Sequence, residues 1–415
     1  MLVRLFIVGA IWLALWATPA ILPARSDEAV AGTVSLSRLI PSDVLAGFEQ
    51  ADPGVSAMAC PAQRGVRSLP GFRPYDKLTG LSSSMANGDG VLSYYNLYKF
   101  AGLMSELVTD AHVRRNAEVK TVLIKKFAEW AEAGAYLKTR DCSDGNCPEQ
   151  WQTKRGTDLS PLKDSEQAVN HVMDLALAYY PFLSTHNREG LAAEHVAIDK
   201  WMRTFSRRLL FNWANAPVSK QIRGIYDLQP HRSKLLFDLV KGDSKSFRLR
   251  LQSSVKGMSA QIREDGSIRN ATVRGSKALW YHFWTLDDVF WQLEVLKAND
   301  MDAYAKFEKR LERAVKIFLD GMDDPSTIHK WAKADYHSAG DPRMQDFDMN
   351  RFAYNDSGQS WLYVYLYRYP QTENARRLRS LLSRRVVRHI MDFKLGANIG
   401  CLYRVAEPNL LTGPT

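Results

Sequence analysis

The sequence has few cysteines and, beyond its N-terminus, no long apolar run. The 415 residues include 4 cysteines, at positions Cys60, Cys142, Cys147 and Cys401. No histidine stands near them at ligand spacing, which argues against a zinc site. Three disulfide pairings are possible in an oxidising compartment, including a local loop between Cys142 and Cys147. No later segment reaches the roughly 20 apolar residues that a bilayer span requires.

Regular repeats, strand alternation and low-complexity linkers are also absent or nearly so. The lack of a fixed period argues against a solenoid. The lack of a linker predicts a single domain over residues 27–415. The first residues are different: Arg4 precedes the apolar stretch 5–15, and small residues and prolines follow as far as Ala24. This order is typical of a secretory signal, so residues 1–26 are predicted to be a signal peptide. An uncleaved anchor is the alternative.

The formal net charge is +10. After signal cleavage we expect no stable membrane span, a monomer, and a periplasmic or secreted location. For an exported protein this charge argues against nucleic acid as a partner and suits an acidic glycan, a phosphate-rich surface or an anionic membrane face. The alternative is that Lys and Arg simply solvate helix surfaces.

Apolar residues recur at three-to-four spacing along most of the chain, which predicts helices. The predicted helices are Leu92–Thr109, Val119–Ala133, Ala168–Leu183, His195–Trp213, Ser233–Val240, Ser246–Glu264, Lys277–Lys297, Ala303–Gly321, Gln359–Arg368 and Glu373–Leu395. Residues 27–90, which several prolines interrupt, are predicted to be irregular, and the tail 396–405 to be extended. Helices joined by short connectors predict an all-α fold of stacked helical hairpins, either an array or a toroid.

The segment from Asp265 to Phe283 has the strongest chemical signal. Arg274, Lys277 and Tyr281 are spaced by three and four, so they share one face if a helix begins that early. A guanidinium binds a carboxylate through two hydrogen bonds, and a phenol next to it can transfer a proton. The alternative is an ordinary amphipathic helix with surface cations and a packed tyrosine.

Two histidines offer further proton-transfer chemistry. His231 follows Gln229 and Pro230 just before an apolar helix, and an imidazole at such a junction titrates near neutral pH. Asn170 and His171 are adjacent in a predicted helix, and this pair is suited to binding a carboxylate. The alternatives are a capping or surface role for His231 and a packing role for His171.

The chain resembles the poly-mannuronate alginate lyases, a family with an all-helical toroid fold. Matching segments occur in the same order from near the mature N-terminus to near the C-terminus. They are Cys60-Pro61-Ala62, Phe72 to Asp76, Trp130 to Ala135, Phe211 to Pro217, Asp265-Gly266-Ser267, Arg274 through Tyr281-His282, Gln345-Asp346, Trp361-Leu362 and Phe393 to Gly396. The resemblance implies an incomplete (α/α) toroid of stacked hairpins. Where the family has Asn-Asn-His, this chain has Gln229-Pro230-His231, and two alternatives follow from this difference: a different uronate polymer as substrate, or lost activity.

The resemblance also implies β-elimination on a 4-linked polyuronate, an anionic polysaccharide. Arg274 would neutralise the sugar carboxylate, Tyr281 would protonate the leaving oxygen, and His231 would act as base or as a second neutralising group. No metal and no cofactor are implied. The implied substrate-binding residues are Tyr75, Asn170, His171, Gln229 and His282.

Two other functions remain open at the level of sequence. A glycoside hydrolase acting on an acidic glycan would need a pair of carboxylates across a cleft. The candidates are Glu264, Asp265, Asp287 and Asp288. A non-catalytic exopolysaccharide-binding protein would need only the groove.

Overall fold

The computed structural model describes residues 35–54, 80–82, 91–93, 107–108, 111–134, 179–214, 235–236, 238–332, 341–345, 347, 360–383 and 399–410. All of these lie in one compact unit, Gly32–Thr415. The predicted signal peptide lies outside the described residues, as do Cys60, Cys142 and Cys147. Cys401 is disulfide-bonded.

Helices account for most of the described residues. The α-helices are α1 Ser42–Gln50, α2 Ala117–Glu132, α3 Ala192–Ala214, α4 Ser244–Gln261, α5 Ala278–Lys297, α6 Tyr304–Asp323, α7 Ser360–Arg368, α8 Glu373–Ser383 and α9 Ile399–Ala406. Short 3-10 helices lie at Leu36–Arg38, Gly275–Lys277 and Pro325–Lys330. Strands β1, Gly80–Ser82, and β2, Val91–Ser93, form a short parallel pair. Among the described helices, none is both long and apolar enough to cross a membrane.

Local capping explains where several helices begin and end. The Asn116 side chain accepts the Val119 backbone N–H at 3.0 Å and starts α2. Asp243 accepts the Ser246 N–H at 2.9 Å and starts α4 in the same way. Each cap satisfies an N–H that has no partner within its helix. Gly134 has a φ of 63° just beyond α2, which confirms the prediction that it ends this helix.

Helix α5 is the central element of the described core. Nearly all of its side chains from Thr285 to Leu296 are buried, so this helix is covered on every side. It packs against α4, α6 and α7, and α6 packs in turn against α8. Helix α6 is amphipathic: it buries one stripe, which includes Phe307, Leu311 and Phe318, and leaves its opposite face in solvent.

The prediction that residues 27–90 are irregular is wrong in part, because α1 lies there. Pro41 precedes the first helical residue, where a missing N–H costs nothing, and Val44 and Phe48 are buried one turn apart. The proline-rich composition hid this short amphipathic stripe. Helix α1 packs against α9.

Two other secondary-structure predictions are also wrong, one at the start of a helix and one over most of the C-terminal tail. The helix predicted to begin at Leu92 does not begin there, because Val91–Ser93 pairs with Gly80–Ser82 as a strand. A three-residue strand has no periodicity that sequence inspection can detect. The tail predicted to be extended contains α9, which is stabilised by long-range packing: Leu402 and Tyr403 are fully buried, and the helix contacts α1 and α7.

Candidate active site

The segment that leads into α5 begins with a tight turn at Asp265, Gly266 and Ser267. One carboxylate oxygen of Asp265 accepts the Ser267 N–H at 2.9 Å and its hydroxyl at 2.7 Å. The other oxygen accepts the Trp331 indole N–H at 2.9 Å. Gly266 has a φ of 84°, and a Cβ there would lie 2.4 Å from the Ala314 nitrogen of α6. Only glycine fits, so the turn is fixed against α6.

Arg274 and Tyr281 lie together at the start of α5, as the sequence predicted. The guanidinium carbon of Arg274 is 4.5 Å from the centroid of the Tyr281 ring. Its Nε donates to the Asn270 carbonyl at 3.2 Å, which fixes the direction of the side chain. The helix does not extend back to Arg274: α5 begins at Ala278, and a 3-10 turn that starts at Gly275 precedes it.

Tyr281 belongs to a partly exposed cluster of aromatic and cationic side chains. Its ring lies 4.9 Å from the Trp280 ring and 6.3 Å from the Trp284 ring. The Lys277 ammonium is 5.5 Å from the centroid of Trp280. A cation over an aromatic face is attracted by the ring quadrupole, so each ring helps to hold its cation. The cluster provides positive charge and a phenol on one surface.

His282, next to Tyr281 in sequence, points into the core. Its exposed fraction is 0%. Its Nε2 donates to the Ala314 carbonyl at 2.8 Å, and its Nδ1 is 3.0 Å from the Thr272 hydroxyl. A carbonyl can only accept, so the neutral ring carries its proton on Nε2 and accepts from Thr272 at Nδ1. This placement contradicts the prediction that His282 binds substrate: adjacent helical residues point about 100° apart, and this one joins α5 to α6.

The buried His282 predicts a pH dependence of stability. Burial lowers its pKa from the usual 6.5 to about 4, so the folded protein resists a proton that the unfolded chain accepts. The contribution of His282 to the free energy of unfolding is therefore fully present above pH 6.5. It falls, by up to about 3 kcal/mol, as the pH drops toward 4. We expect His282→Gln to be less stable than wild type at pH 7, with a difference that shrinks over this window. Urea unfolding at several pH values measures it, and a constant difference would contradict the assignment.

Several residues of the predicted site lie outside the described residues. They are Tyr75, Asn170, His171, Gln229 and His231. Arg274 and Tyr281 are therefore the members of the predicted site whose contact the structure establishes.

The carboxylates considered for a hydrolase occupy unsuitable positions. Glu264 forms an ion pair with Arg310 of α6. Asp265 is held in its turn by hydrogen bonds, and Asp287 and Asp288 are buried in α5. Glu264 and Asp265 therefore have hydrogen-bonding partners at the surface, and Asp287 and Asp288 are adjacent residues in the core. Within the described ranges, no group of three or more His, Cys, Asp or Glu side chains could hold a metal ion.

The structure also places residues beside Arg274 and Tyr281 that sequence reasoning missed. Trp280 and Trp284 flank Tyr281, and their one-turn spacing on the Tyr281 face was a visible signal. Gln345, which lies 66 residues after Leu279 in the sequence, contacts the start of α5. The resemblance included this glutamine without giving it a role.

Comparison with known proteins agrees with this geometry. The family model described as Alginate lyase matches residues 149–328, a range that includes Arg274 and Tyr281. A polysaccharide lyase of Stenotrophomonas maltophilia (strain K279a) is 25% identical over 234 residues, which is 54% of this chain and 68% of that protein.

The fold is also found among solved structures. The crystal structure of alginate lyase A1-III from Sphingomonas species A1 aligns with a TM-score of 0.57 and 16% identity, covering 83% of this chain and 91% of that one. A variant of alginate lyase A1-III with a tyrosine replaced by phenylalanine, complexed with tetrasaccharide, aligns with a TM-score of 0.55 and covers 90% and 97% of the two chains. At this identity the likeness concerns the fold, and it confirms the predicted all-α, (α/α) toroid class.

The family model, the sequence relative and the solved structures therefore agree with one another. They confirm the predicted resemblance to the alginate lyase family and, with it, the predicted class of enzyme, a polysaccharide lyase.

Proposed function

We propose that this protein cleaves a 4-linked polyuronate of the alginate type by β-elimination. The observation that carries the proposal is the contact between Arg274 and Tyr281, with the guanidinium 4.5 Å from the phenol ring on a partly exposed surface. A fixed cation and a phenol side by side are what this reaction needs on one sugar residue. The net charge of +10 favours a polyanionic substrate.

The reaction transfers two protons and breaks one carbon–oxygen bond. A base removes the proton from C5 of the uronate, the C4–O4 bond breaks, a C4–C5 double bond forms, and O4 takes a proton. The C5 proton is acidic only when the adjacent carboxylate is neutralised. Arg274 supplies that neutralisation, since a guanidinium pairs with a carboxylate through two parallel hydrogen bonds.

We assign the proton transfers to Tyr281 and His231. Tyr281 protonates O4, and either Tyr281 or His231 removes the C5 proton, depending on the stereochemistry of the sugar. A positioned general acid or base of this kind accelerates a reaction about 10²- to 10⁴-fold. These residues, with Arg274, provide proton transfer and charge stabilisation from side chains alone.

Four further residues complete the proposed substrate site. Tyr75, Asn170, His171 and Gln229 would hold the sugar and its carboxylate, with the Gln229 amide as donor beside His231. His282 is left out because its ring is fully buried and both of its nitrogens are bonded. The fold supports an oligosaccharide site, since an alginate lyase A1-III variant of the same fold is complexed with tetrasaccharide.

The proposed location is the periplasm or the exterior of the cell. Residues 1–26 have the charge, apolar core and small-residue order of a secretory signal. An anionic exopolysaccharide is a substrate found outside the cytoplasm, so location and proposed activity agree.

Ultraviolet absorbance during incubation with purified polyuronates tests the proposal. Elimination leaves a double bond conjugated to the carboxylate, which absorbs, whereas hydrolysis leaves none. We expect absorbance and reducing ends to rise together on poly-mannuronate, alginate or glucuronan. Reducing ends without absorbance would indicate a glycoside hydrolase. Binding with neither signal would indicate a non-catalytic glycan-binding protein, and either result would overturn the proposal.

A further inference from the structure

The start of α5 has no cap from its own sequence. Lys277 occupies the N-cap position and makes no side-chain hydrogen bond to the helix. The first N–H groups of a helix have no intrahelical partner, and leaving them unsatisfied costs stability. Tyr281 stands in the first turn of this helix, so the way in which the N-terminus is fixed bears directly on the proposed site.

Gln345 supplies the missing cap from 66 residues further along the chain. Its Oε1 accepts the Leu279 backbone N–H at 3.0 Å. Its Nε2 donates to the Gly275 carbonyl at 2.8 Å and to the Pro342 carbonyl at 2.6 Å. One amide therefore joins three backbone segments and uses its acceptor and both of its donors.

The turn that carries Gln345 is itself well anchored. The Asp341 carboxylate accepts the backbone N–H of Arg343 at 2.9 Å and its guanidinium at 2.6 Å. These hydrogen bonds from Arg343 lower the pKa of Asp341 to about 2, so the pair stays ionised. Two residues beyond Gln345, the Phe347 ring packs 5.3 Å from Phe283 in the core. The local pair shapes the turn, and Phe347 connects it to the core.

The two backbone groups of this segment that Gln345 contacts, in Gly275 and Leu279, lie close in sequence to Arg274 and Tyr281, the proposed catalytic pair. Gly275 directly follows Arg274 and has a φ of 48°, a conformation that favours glycine. Fixing its carbonyl fixes the Gly275–Ser276 peptide, one residue beyond the Cα from which the Arg274 side chain extends. Leu279 lies two residues before Tyr281, and fixing its N–H sets the first turn of α5.

We propose that Gln345 is a positioning residue that holds Arg274 over the Tyr281 ring without touching the substrate itself. The inference rests on the proposed function for its consequence in catalysis. The amide joins the 3-10 turn to the helix, so its loss would let the two segments move relative to each other. Small misplacement of reacting groups is costly, up to about 100-fold in rate for about 1 Å.

Gln345→Met tests the inference, because methionine has similar length and lacks the amide. We expect kcat on the accepted polyuronate to fall about 10- to 100-fold, with a smaller change in KM. Gln345→Glu keeps the acceptor for Leu279 but turns a second acceptor oxygen toward the Gly275 and Pro342 carbonyls, so it should lower kcat at least as much as Gln345→Met. Met344→Ala, at a neighbour that is 73% exposed, is the matched control and should keep wild-type kcat. An equal loss of kcat in Gln345→Met and in the control Met344→Ala would overturn the inference.

A double-mutant cycle distinguishes positioning from general support. Arg274→Lys should itself lower kcat about 10²-fold, because the planar fork is lost. If Gln345 acts through Arg274, adding Gln345→Met to that variant should lower kcat by less than about twofold. Fully additive losses would mean that Gln345 acts elsewhere and would overturn the inference.

Hydrogen exchange separates this inference from the proposed function. Gln345→Met should speed exchange of the Leu279 amide at least about tenfold relative to wild type, whatever the reaction catalysed. Unchanged exchange would overturn the contact even in an active enzyme. A wild-type protein without unsaturated product, yet with faster Leu279 exchange in the variant, would overturn the proposed function and leave the contact established.

Discussion

Tyr281→Phe is expected to lower kcat about 10²- to 10⁴-fold while changing polyuronate affinity by less than about twofold. The substitution removes one oxygen. The ring that Arg274 covers at 4.5 Å and that Trp280 contacts at 4.9 Å remains, so the surface keeps its shape and charge. Only the proton transfer to O4 is lost, and the C4–O4 bond then has to break without a proton donor.

Initial rates of ultraviolet absorbance and equilibrium binding of the polymer measure the two quantities separately. Tyr367→Phe is the matched control: Tyr367 is also a partly buried tyrosine, packed 5.4 Å from Tyr403 and outside the proposed site. It should retain wild-type kcat. A Tyr281→Phe enzyme that turns over at the wild-type rate would remove the phenol from the mechanism. An equal loss of binding and rate would make it a binding residue.

Two helices of the core were predictable to within one residue, because their apolar patterns are local. The predicted helix Lys277–Lys297 is observed at Ala278–Lys297, and the predicted Gln359–Arg368 at Ser360–Arg368. Both sequences are apolar on nearly every face, which marks helices buried in a core. Helix α9 was missed because its helical state depends on packing against elements far away in the sequence.

The proximity of Arg274 and Tyr281 was predicted for a reason that proved incomplete. The prediction assumed one continuous helix, whereas a 3-10 turn lies between Arg274 and the first residue of α5. The contact survives because the arginine side chain is long and its Nε is fixed by the Asn270 carbonyl. Spacing alone could not distinguish these two routes to the same contact.

The sequence also contained a warning about His282 that helical geometry makes explicit. Adjacent residues of a helix point about 100° apart, so with Trp280 and Tyr281 on the exposed face His282 turns toward the core. The contact of Gln345 with the start of α5 had no local signal, since Leu279 and Gly275 are 66 and 70 residues away. Contacts of this kind need coordinates.

Arg368→Met is expected to destabilise the protein by about 3–5 kcal/mol, the largest effect on stability that we predict. The Glu294 side chain of α5 is only 3% exposed, and that of Arg368 is 10% exposed. Glu294 accepts from Arg368 Nε at 2.8 Å and Nη2 at 2.6 Å, and also from the Tyr304 hydroxyl and, at 2.5 Å, the Tyr403 hydroxyl. Removing the arginine leaves a buried carboxylate without its cation.

This network joins helices that are distant in sequence. Glu294 lies on α5, Tyr304 on α6, Arg368 on α7 and Tyr403 on α9, and Arg368 reaches Asp43 of α1 at 2.5 Å. Burial raises the pKa of both tyrosines well above 10, so they remain neutral donors to Glu294. The carboxylate thus accepts four hydrogen bonds, and two of them come from the Arg368 cation.

Urea unfolding of Arg368→Met measures the effect, with Arg376→Met as the matched control. Arg376 pairs with Glu373 on the surface of α8, where both side chains are well exposed, so its loss should cost no more than about 1 kcal/mol. The double variant Glu294→Met/Arg368→Met should recover part of the loss, since the buried carboxylate is gone and Asp43, which also loses Arg368, is 45% exposed. Similar losses at Arg368 and Arg376 would contradict a buried-charge origin.

The kcat of Arg368→Met tests whether the two ends of α5 are independent. Glu294 and Tyr281 lie 13 residues apart on α5, or about 20 Å along a helix that rises 1.5 Å per residue. Well below its unfolding temperature, the folded Arg368→Met enzyme should therefore keep the kcat of wild type while its midpoint falls. A loss of kcat in fully folded protein would show that strain at the C-terminal end of α5 reaches the phenol at its start, and the two ends of the helix could no longer be treated as independent.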